Sequence, residues 1–397
     1  MTMKNLPELV APVGSVEALR AAVENGADAV YLGGKKFGAR HFAANFTERE
    51  MKRAARYIHS KDARLFVTVN TLVKDSEIAG LIEYLDFLRD IEVDAVVVQD
   101  LGVLGHIRER FPDLRIHAST QMNVHNSEGV RFLTGLGVKR VVLARELDIM
   151  QIGSIFEKTG SELEVFVHGA LCYSYSGNCL FSSLISGRSA NRGRCVQACR
   201  MKFTIENNEI DVSSGHLLSL KDLCSAEMLP ELVDAGVAAF KIEGRMKRPE
   251  YVAVVVGIYR RLLDRIREGN FYITWNEKRD LLQIFNRGFT EGYLRGERGG
   301  MVNPGSCDNR GLEIGRVTGV SESGVEIKLS TTLCAGDGIE IIVGGKTVGR
   351  RIKADLTRGG TLKIGLKDTN RVPINSVVYR TSDAQLISRA RKSYERR

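Results

Sequence analysis

The sequence predicts an α/β protein: a (βα)8 TIM-like barrel followed by a small C-terminal β-barrel domain. Three observations predict it. Eight short apolar, β-rich runs recur through the first two-thirds of the chain, at 8–11, 29–32, 65–69, 95–98, 115–118, 140–144, 164–167 and 238–242. Most are separated by helical patterns such as 16–25, 48–60, 77–90 and 129–136, the alternation of a parallel sheet. Three units also resemble one another, GADAVYLGG, VDAVVVQDLG and VAAFKIEGR, each a strand that follows a helix and ends in polar residues. The first turn, APVGSVEAL, lacks the glycine-rich fingerprint of a dinucleotide-binding open sheet, which favours a closed barrel.

Composition agrees with a globular chain of more than one domain. The protein has 397 residues, 43% hydrophobic and 26% charged, which excludes disordered and fibrous classes. No apolar run approaches the roughly 18 residues of a membrane span, and the opening MTMKNLPELVAPVG lacks the apolar centre of a signal peptide, so a cytoplasmic protein without a membrane partner is expected. The charge is uneven. Residues 311–397 hold 16 Lys and Arg against 9 Asp and Glu, a surplus of seven within a net charge of +9 for the whole chain. A basic appendage suits a polyanionic partner, and equally a solvated basic surface.

In a barrel, residues at the C-terminal strand ends carry chemistry. Here those ends read Pro12, Gly33, Asn70, Gln99 with Asp100, Ser119 with Gln121, Arg145 with Glu146, His168, and Lys241 with Glu243 and Arg245. Lys241 and Glu243 alternate with Phe240 and Ile242, which places them on one face of a strand, either as a substrate contact or as an ion pair closing the barrel. His168 reads as a general base or as a satisfied structural histidine. Lys35, Lys36, Arg40 and His41, in the GGKKFGARHF loop after the second strand, could bind carboxylates or a nucleic-acid phosphate, or be solvated.

The domain boundaries read as barrel 1–270, linker or strap 271–310, and basic β domain 311–397. Within the barrel, 169–223 forms a long insertion between strands seven and eight. Loops of that length are functional in compact domains. Residues 249–268 read as the closing helix, with Pro249 in its first turn. Glycine-broken alternating runs after 311 read as a small β-barrel, and the basic tail as a short helix or disorder.

Cys172, Cys179, Cys195 and Cys199 fall inside the insertion, separated by six, fifteen and three residues; Cys224, Cys307 and Cys334 are scattered. Four soft donors with no accompanying histidine suit a tetrahedral zinc or an iron-sulfur cluster. The two-residue separations of zinc ribbons are missing, and the wide spacing favours a cluster; four buried free thiols are the structural alternative. Arg188, Arg192 and Arg194 lie among these cysteines, where they could dock a phosphate or carboxylate or simply be solvated.

The motifs HGALCYSYSGNC, NRGRCVQAC and FKIEGRMKRPEYV, with the opening APVGSVEALRAAVENGADAVYLGG, resemble the peptidase U-thirty-two family, also described as collagenase-like. The resemblance implies a barrel whose Cys172, Cys179, Cys195 and Cys199 hold a 4Fe-4S cluster, with Cys224 outside the ligand set. It also implies an oxygen-independent hydroxylase rather than a protease. Members of the family hydroxylate carbon 5 of a cytidine in 23S rRNA or of the wobble uridine in tRNA, with prephenate as a small-molecule hydroxyl donor, and others hydroxylate the ubiquinone ring. NRGRCVQACR followed closely by LLSLKDL, then FNRGFTEGYLRG, resembles the rRNA branch more than the tRNA branch. The electron donor is left open. A peptidase finds no HExxH or GxSxG motif here, and an RNA-binding protein with a structural cluster is the non-catalytic alternative.

Overall fold

The computed structural model describes residues 6–207, 210–296, 299–343, 346–366 and 372–395. These residues divide into two compact units, one from 1–273 with 289–307 and the other from 274–288 with 308–397.

The first unit opens with seven strands, β1 (Glu8–Pro12), β2 (Ala29–Gly33), β3 (Arg64–Val69), β4 (Ala95–Val98), β5 (Ile116–Ala118), β6 (Arg140–Val142) and β7 (Glu162–Ala170). Between them run α1 (Val16–Glu24), α2 (Glu48–His59), α3 (Ile78–Asp90), α4 (Leu101–Arg110), α5 (Ser127–Gly135) and α6 (Ile149–Thr159). The insertion follows, with α7 (Phe181–Ser186), a hairpin of β8 (Phe203–Asn207) and β9 (Ile210–Gly215), and β10 (Asp222–Cys224). Then come α8 (Leu229–Asp234), β11 (Ala239–Ile242) and α9 (Pro249–Arg267). Neighbouring strands from β1 to β7 pair in parallel, and β11 pairs with both β7 and β1, which closes an eight-stranded barrel. Strand β10 turns back antiparallel along β7.

Local chemistry starts these helices. Ser15 caps α1, Asp100 caps α4 and Asn126 caps α5 through side-chain oxygens, while Thr47 with Glu50 and Asp148 with Gln151 form capping boxes on α2 and α6. Pro249 occupies the first turn of α9, whose apolar face is buried along Tyr251, Val252, Val255, Tyr259 and Leu262. None of the described helices is long and apolar enough to cross a membrane.

Inside the barrel, Val10, Tyr31, Phe66 and Val97 pack in one cluster. Toward the N-terminal strand ends lies a charge network, buried except at Arg64. Arg140 donates to Glu8 and stands 3.4 Å from Glu164, Arg64 reaches Glu8 at 2.6 Å, and Lys241 Nζ donates to Glu164 Oε1 at 2.7 Å.

The described residues of the segment 271–310, expected as a linker or strap, include regular elements. They contain α10 (Trp275–Ile284), started by a Thr274/Glu277 capping box, and β12 (Phe289–Thr290), which pairs with β10. The first belongs to the second unit and the other to the barrel unit. The second unit also carries β13 (Leu312–Ser321), β14 (Gly324–Leu329), β15 (Gly338–Val343), β16 (Lys346–Arg351), β17 (Thr361–Gly365), β18 (Val377–Ser382) and α11 (Ala384–Tyr394). Its strands form one antiparallel sheet in the order β16-β15-β18-β13-β14-β17, curled around a core that includes Ile314, Val317, Ile327, Ile339 and Val378. Among the described residues β16 and β17 do not pair, so it is a half-barrel. The basic tail is helical in α11, capped by Asp383.

Candidate functional site at the barrel mouth

Glu243 and Arg245 leave β11 at the C-terminal mouth of the barrel. Arg40 Nη2 donates to Glu243 Oε1 at 3.0 Å, and the buried Tyr31 hydroxyl reaches the Ile242 carbonyl at 3.0 Å and Glu243 Oε2 at 3.3 Å. Arg245 donates to the Ala39 carbonyl at 2.9 Å, to Thr68 Oγ1 at 3.3 Å and to Asn45 Oδ1 at 2.6 Å. Its guanidinium occupies the space over Gly33, where a Cβ would lie 2.2 Å from Nη2. Across the mouth, Asn70 donates to Ser119 and Gln121, and Gln121 donates to Gln99. Arg145 lies over the Phe166 ring at 5.5 Å, and its buried Nε has no hydrogen-bond partner among the described residues.

Burial works to raise the Glu243 carboxyl, and Arg40, Arg145 and Arg245 together overcome it, so the group is held below the usual carboxylate range. One guanidinium therefore contacts the carboxylate and two more act on it through their charge, an arrangement short of negative charge. The β2–α2 loop that brings Arg40 inward is strained. Phe37, Arg40 and Asn45 have φ of 57°, 68° and 48°, left-handed values that non-glycine residues adopt only when their surroundings dictate it.

The cysteine insertion docks on the loops of this mouth. Its Gly193 carbonyl accepts from His41 N at 2.9 Å, its Asn191 carbonyl from Leu72 N at 3.1 Å, and its Ser176 hydroxyl donates to Glu146 at 3.3 Å. Gly177, at φ +78°, runs so close to the turn after β5 that a Cβ would sit 1.9 Å from the Gln121 carbonyl. Cys172, Cys179, Cys195 and Cys199 are free and half-buried. Burial pushes the Cys199 thiol up to about 11, Arg200 opposes it, and the nearby Cys172, Cys195 and Cys179 raise it further. Cys195 Sγ accepts from Gln197 N at 3.4 Å and from Ser182 Oγ at 3.8 Å.

Four soft thiols near enough to repel one another as thiolates, with N–H and O–H donors aimed at one sulfur, are the donor chemistry of a thiolate-bound metal centre. The described residues contain no group of three or more His, Cys, Asp or Glu side chains arranged to hold a metal ion, so the match is one of donor type and proximity. Cys224 differs: it lies on β10, away from these interactions, with its thiol raised to about 11 by burial.

Residues 14–303 match Peptidase family U32. The chain belongs to that family. It is similar to the 23S rRNA 5-hydroxycytidine synthase of Escherichia coli, 37% identical over 359 residues that cover 87% of this chain and 54% of that protein. It is similar to tRNA hydroxylation protein P1 of Bacillus subtilis, 35% identical over 74% of this chain and 72% of that one. A Porphyromonas gingivalis protein named Collagenase is 33% identical over 86% of this chain and 87% of its own. The chain thus spans about half the length of the rRNA synthase.

In this U32 chain the expected site residues separate into three groups. Glu243, Arg245 and Arg40 meet at the mouth, as described. Lys241 does not join them: it lies a layer deeper, paired with Glu164 and 4.5 Å from the Tyr31 ring centroid, the ion-pair alternative of the strand reading. His168 also faces elsewhere, packed among Tyr251, Tyr259 and Phe289, with Nδ1 3.2 Å from the Tyr259 hydroxyl. Burial lowers its pKa to about 3, so it stays neutral and has no path to a ligand in the mouth.

Arg192 is held by Glu77 at 2.6 Å and 3.0 Å and by the Leu72 carbonyl, fastening the insertion rather than facing a ligand. Lys35 donates to the Ala44 carbonyl. Lys36, His41, Arg188 and Arg194 are exposed around the docked insertion. Sequence reasoning assigned no role to Tyr31, Asn45 and Thr68, and it named Arg145 only as a strand end. Tyr31 reads locally as a core strand residue, and only the spacing of Arg145 after its strand signalled it.

Proposed function

We propose that the protein hydroxylates a pyrimidine base of RNA at carbon 5 without molecular oxygen. An rRNA cytidine is the favoured substrate, ahead of a tRNA wobble uridine, and a prephenate-like dicarboxylate is the hydroxyl donor. The observation that carries this reading is the cluster of Arg40, Arg145 and Arg245 around one carboxylate beneath the cysteine insertion, in a family with relatives named as rRNA and tRNA hydroxylation proteins.

Cys172, Cys179, Cys195 and Cys199 would hold a 4Fe-4S cluster, which would supply redox or Lewis-acid chemistry above the mouth. Arg145 and Arg40 would bind donor carboxylates through charge-assisted, forked hydrogen bonds. Glu243, kept ionised by its arginines, would orient them rather than exchange protons. Arg245 would fix the β2–α2 loop through Asn45 and Ala39. Because ring carbon 5 cannot reach a buried site from within a stack, the base would enter flipped or from a single strand.

Nucleoside mass spectrometry of tRNA and rRNA from a deletion strain tests this. The expected result is loss of one 5-hydroxypyrimidine, in rRNA for the favoured substrate and in tRNA for the second, restored by the wild-type gene and not by Glu243→Ala. An unchanged nucleoside profile, with collagen cleaved by the purified protein, would replace this function with the peptidase one carried by the Collagenase relative.

A further inference from the structure

We propose that the cysteine insertion and the β2–α2 loop form a platform for single-stranded RNA, on which unpaired bases beside the target stack against Phe42, Tyr173 and Tyr175 while Arg188, Arg194 and Lys36 hold the backbone. This rests on the RNA reading above and adds the strand state of the substrate and the residues that recognise it.

Charge is the first support. Residues 169–205 contain Arg188, Arg192, Arg194, Arg200 and Lys202 and no Asp or Glu; residues 34–46 contain Lys35, Lys36 and Arg40 and likewise no acid. The chain as a whole has 48 acidic residues in 397, so two acid-free stretches that pack together are a local bias rather than a reflection of composition. They do pack together, through His41 N to the Gly193 carbonyl at 2.9 Å and through the Arg188 guanidinium 5.7 Å from the Phe42 ring centroid. Arg40 is turned inward to Glu243 at the mouth, Arg192 is held by Glu77, and Arg200 by the Leu171 and Leu220 carbonyls. Arg188, Arg194 and Lys36 are exposed to solvent.

The aromatic rings are the second support. Phe42 is 51% exposed, Tyr173 48% and Tyr175 64%. Three large rings stay in water on loops pinned by hydrogen bonds, which leaves their faces available to a partner that can stack on them. Tyr175 lies against His125 at 6.0 Å, which anchors it beside the β5 end of the mouth. Exposed rings together with exposed cations are the composition that binds single strands: each base offers a face for stacking, and the cations follow the phosphates. A duplex keeps its base faces inside its own stack and could use only the cations. The aromatic faces therefore select an unpaired loop, the form from which a target base enters the barrel without first being unpaired.

Fluorescence anisotropy of the full-length, iron-loaded protein tests the platform. The probes are a labelled oligocytidine of about twelve nucleotides and a blunt RNA duplex of the same length. The parent protein should bind the single strand at least about tenfold more tightly than the duplex. Phe42→Ala and Tyr175→Ala should each weaken single-strand binding by roughly fivefold to a hundredfold with little change in salt dependence. Arg188→Ala and Arg194→Ala should each lower the salt slope by about one. Tyr175→Phe should bind like the parent, and so should Phe132→Ala, an exposed ring on α5 that belongs to neither loop. Iron content and thermal midpoint, measured on every variant, separate lost contacts from lost folding.

Affinities of Phe42→Ala and Tyr175→Ala within about twofold of the parent, in folded iron-loaded protein, would overturn the platform, as would equal affinity for the duplex. If these aromatic variants are silent but Leu184→Ala, on the apolar tip of α7, abolishes association with a protein partner, the surface is a protein-docking face instead. Loss of the 5-hydroxypyrimidine in the deletion strain together with any of these results removes the platform alone. An unchanged nucleoside profile with no RNA bound by the parent protein removes both readings.

Discussion

Replacing Lys241 with alanine should destabilise the barrel by several kcal/mol through a single lost partner. Lys241 Nζ stands 2.7 Å from Glu164 Oε1, and the two side chains are 6% and 1% exposed. At that separation and an effective dielectric of about 20, the gross attraction is roughly 6 kcal/mol, part of which offsets the desolvation of both ends. Among the described residues alanine leaves Glu164 the Arg140 contact at 3.4 Å, so the net loss should be about 3–5 kcal/mol, the range for a buried pair broken on one side. Each kcal/mol lowers the midpoint of a domain of this size by about 2–4 °C, so calorimetry should record a fall on the order of 10 °C. The double variant Lys241→Met with Glu164→Leu should recover at least half of that loss, because it removes both charges together. Activity measured on the folded fraction should be close to that of the parent. If Lys241→Ala keeps its full thermal midpoint and the modified nucleoside disappears, the ion-pair reasoning is wrong and Lys241 acts on substrate.

Other expectations follow from the same geometry. His168, with a folded pKa near 3 against an ordinary 6.5, is neutral when folded and takes up a proton on unfolding, so its contribution to stability is present above pH 6.5 and is lost at about 1.4 kcal/mol per unit as pH falls toward 3. His168→Gln should flatten urea-unfolding stability between pH 6.5 and 4.5 by nearly one proton; an unaltered slope would mean that the imidazole is solvated. Gly33→Ala should push Arg245 off Asn45 and cost roughly 1–3 kcal/mol, with the Gly33→Ala/Arg245→Ala pair losing less than the sum of its parts in thermal melts; simple additivity would disprove the contact. Alanine at Cys172, Cys179, Cys195 or Cys199 should each reduce bound iron from about four atoms per chain, while Cys224→Ala keeps it, as read by colorimetric iron assay after anaerobic purification; stoichiometric zinc in the parent would refute the cluster.

The barrel was legible because its strands are buried on both faces and their helices carry local start signals, such as Ser15, Thr47 and Asp100, that survive in any context. The capped helix α10 was legible as well, in Thr274 and Glu277, but the surrounding glycines of FNRGFTEGYLRG outweighed it and the segment read as a strap. The site was readable only to the level of strand ends. Period-two alternation correctly places Lys241 and Glu243 on one face, yet depth along the barrel axis depends on which neighbour stands opposite. Glu164 on β7 captures the first, and Arg40, from a loop two hundred residues earlier, captures the second. Arg192 could not be told from Arg188 or Arg194 by sequence, since its partner Glu77 lies 115 residues away.

The barrel interior holds two groups of charges that differ in balance. In the deeper layer Arg64, Arg140 and Lys241 face Glu8, Glu162 and Glu164, and the charges cancel. At the mouth Arg40, Arg145 and Arg245 face Glu243, and a cationic surplus remains even when the nearby Glu146 is counted. A fold tolerates a partly buried surplus of this kind where a ligand completes it, because cations without a full set of counter-charges carry part of their desolvation cost uncompensated. Prephenate, with two carboxylates, should therefore raise the thermal midpoint of the folded protein. At about one hundred times its dissociation constant the gain should be about 2.7 kcal/mol, or roughly 5–10 °C. Arg145→Ala should abolish the shift, read against that variant's own unliganded midpoint, because its guanidinium, with Nε free of protein partners among the described residues, is the group offered to a carboxylate. A midpoint indifferent to prephenate at every concentration, or an equal shift in Arg145→Ala, would show that the guanidinium surplus is neutralised by something other than a carboxylate donor.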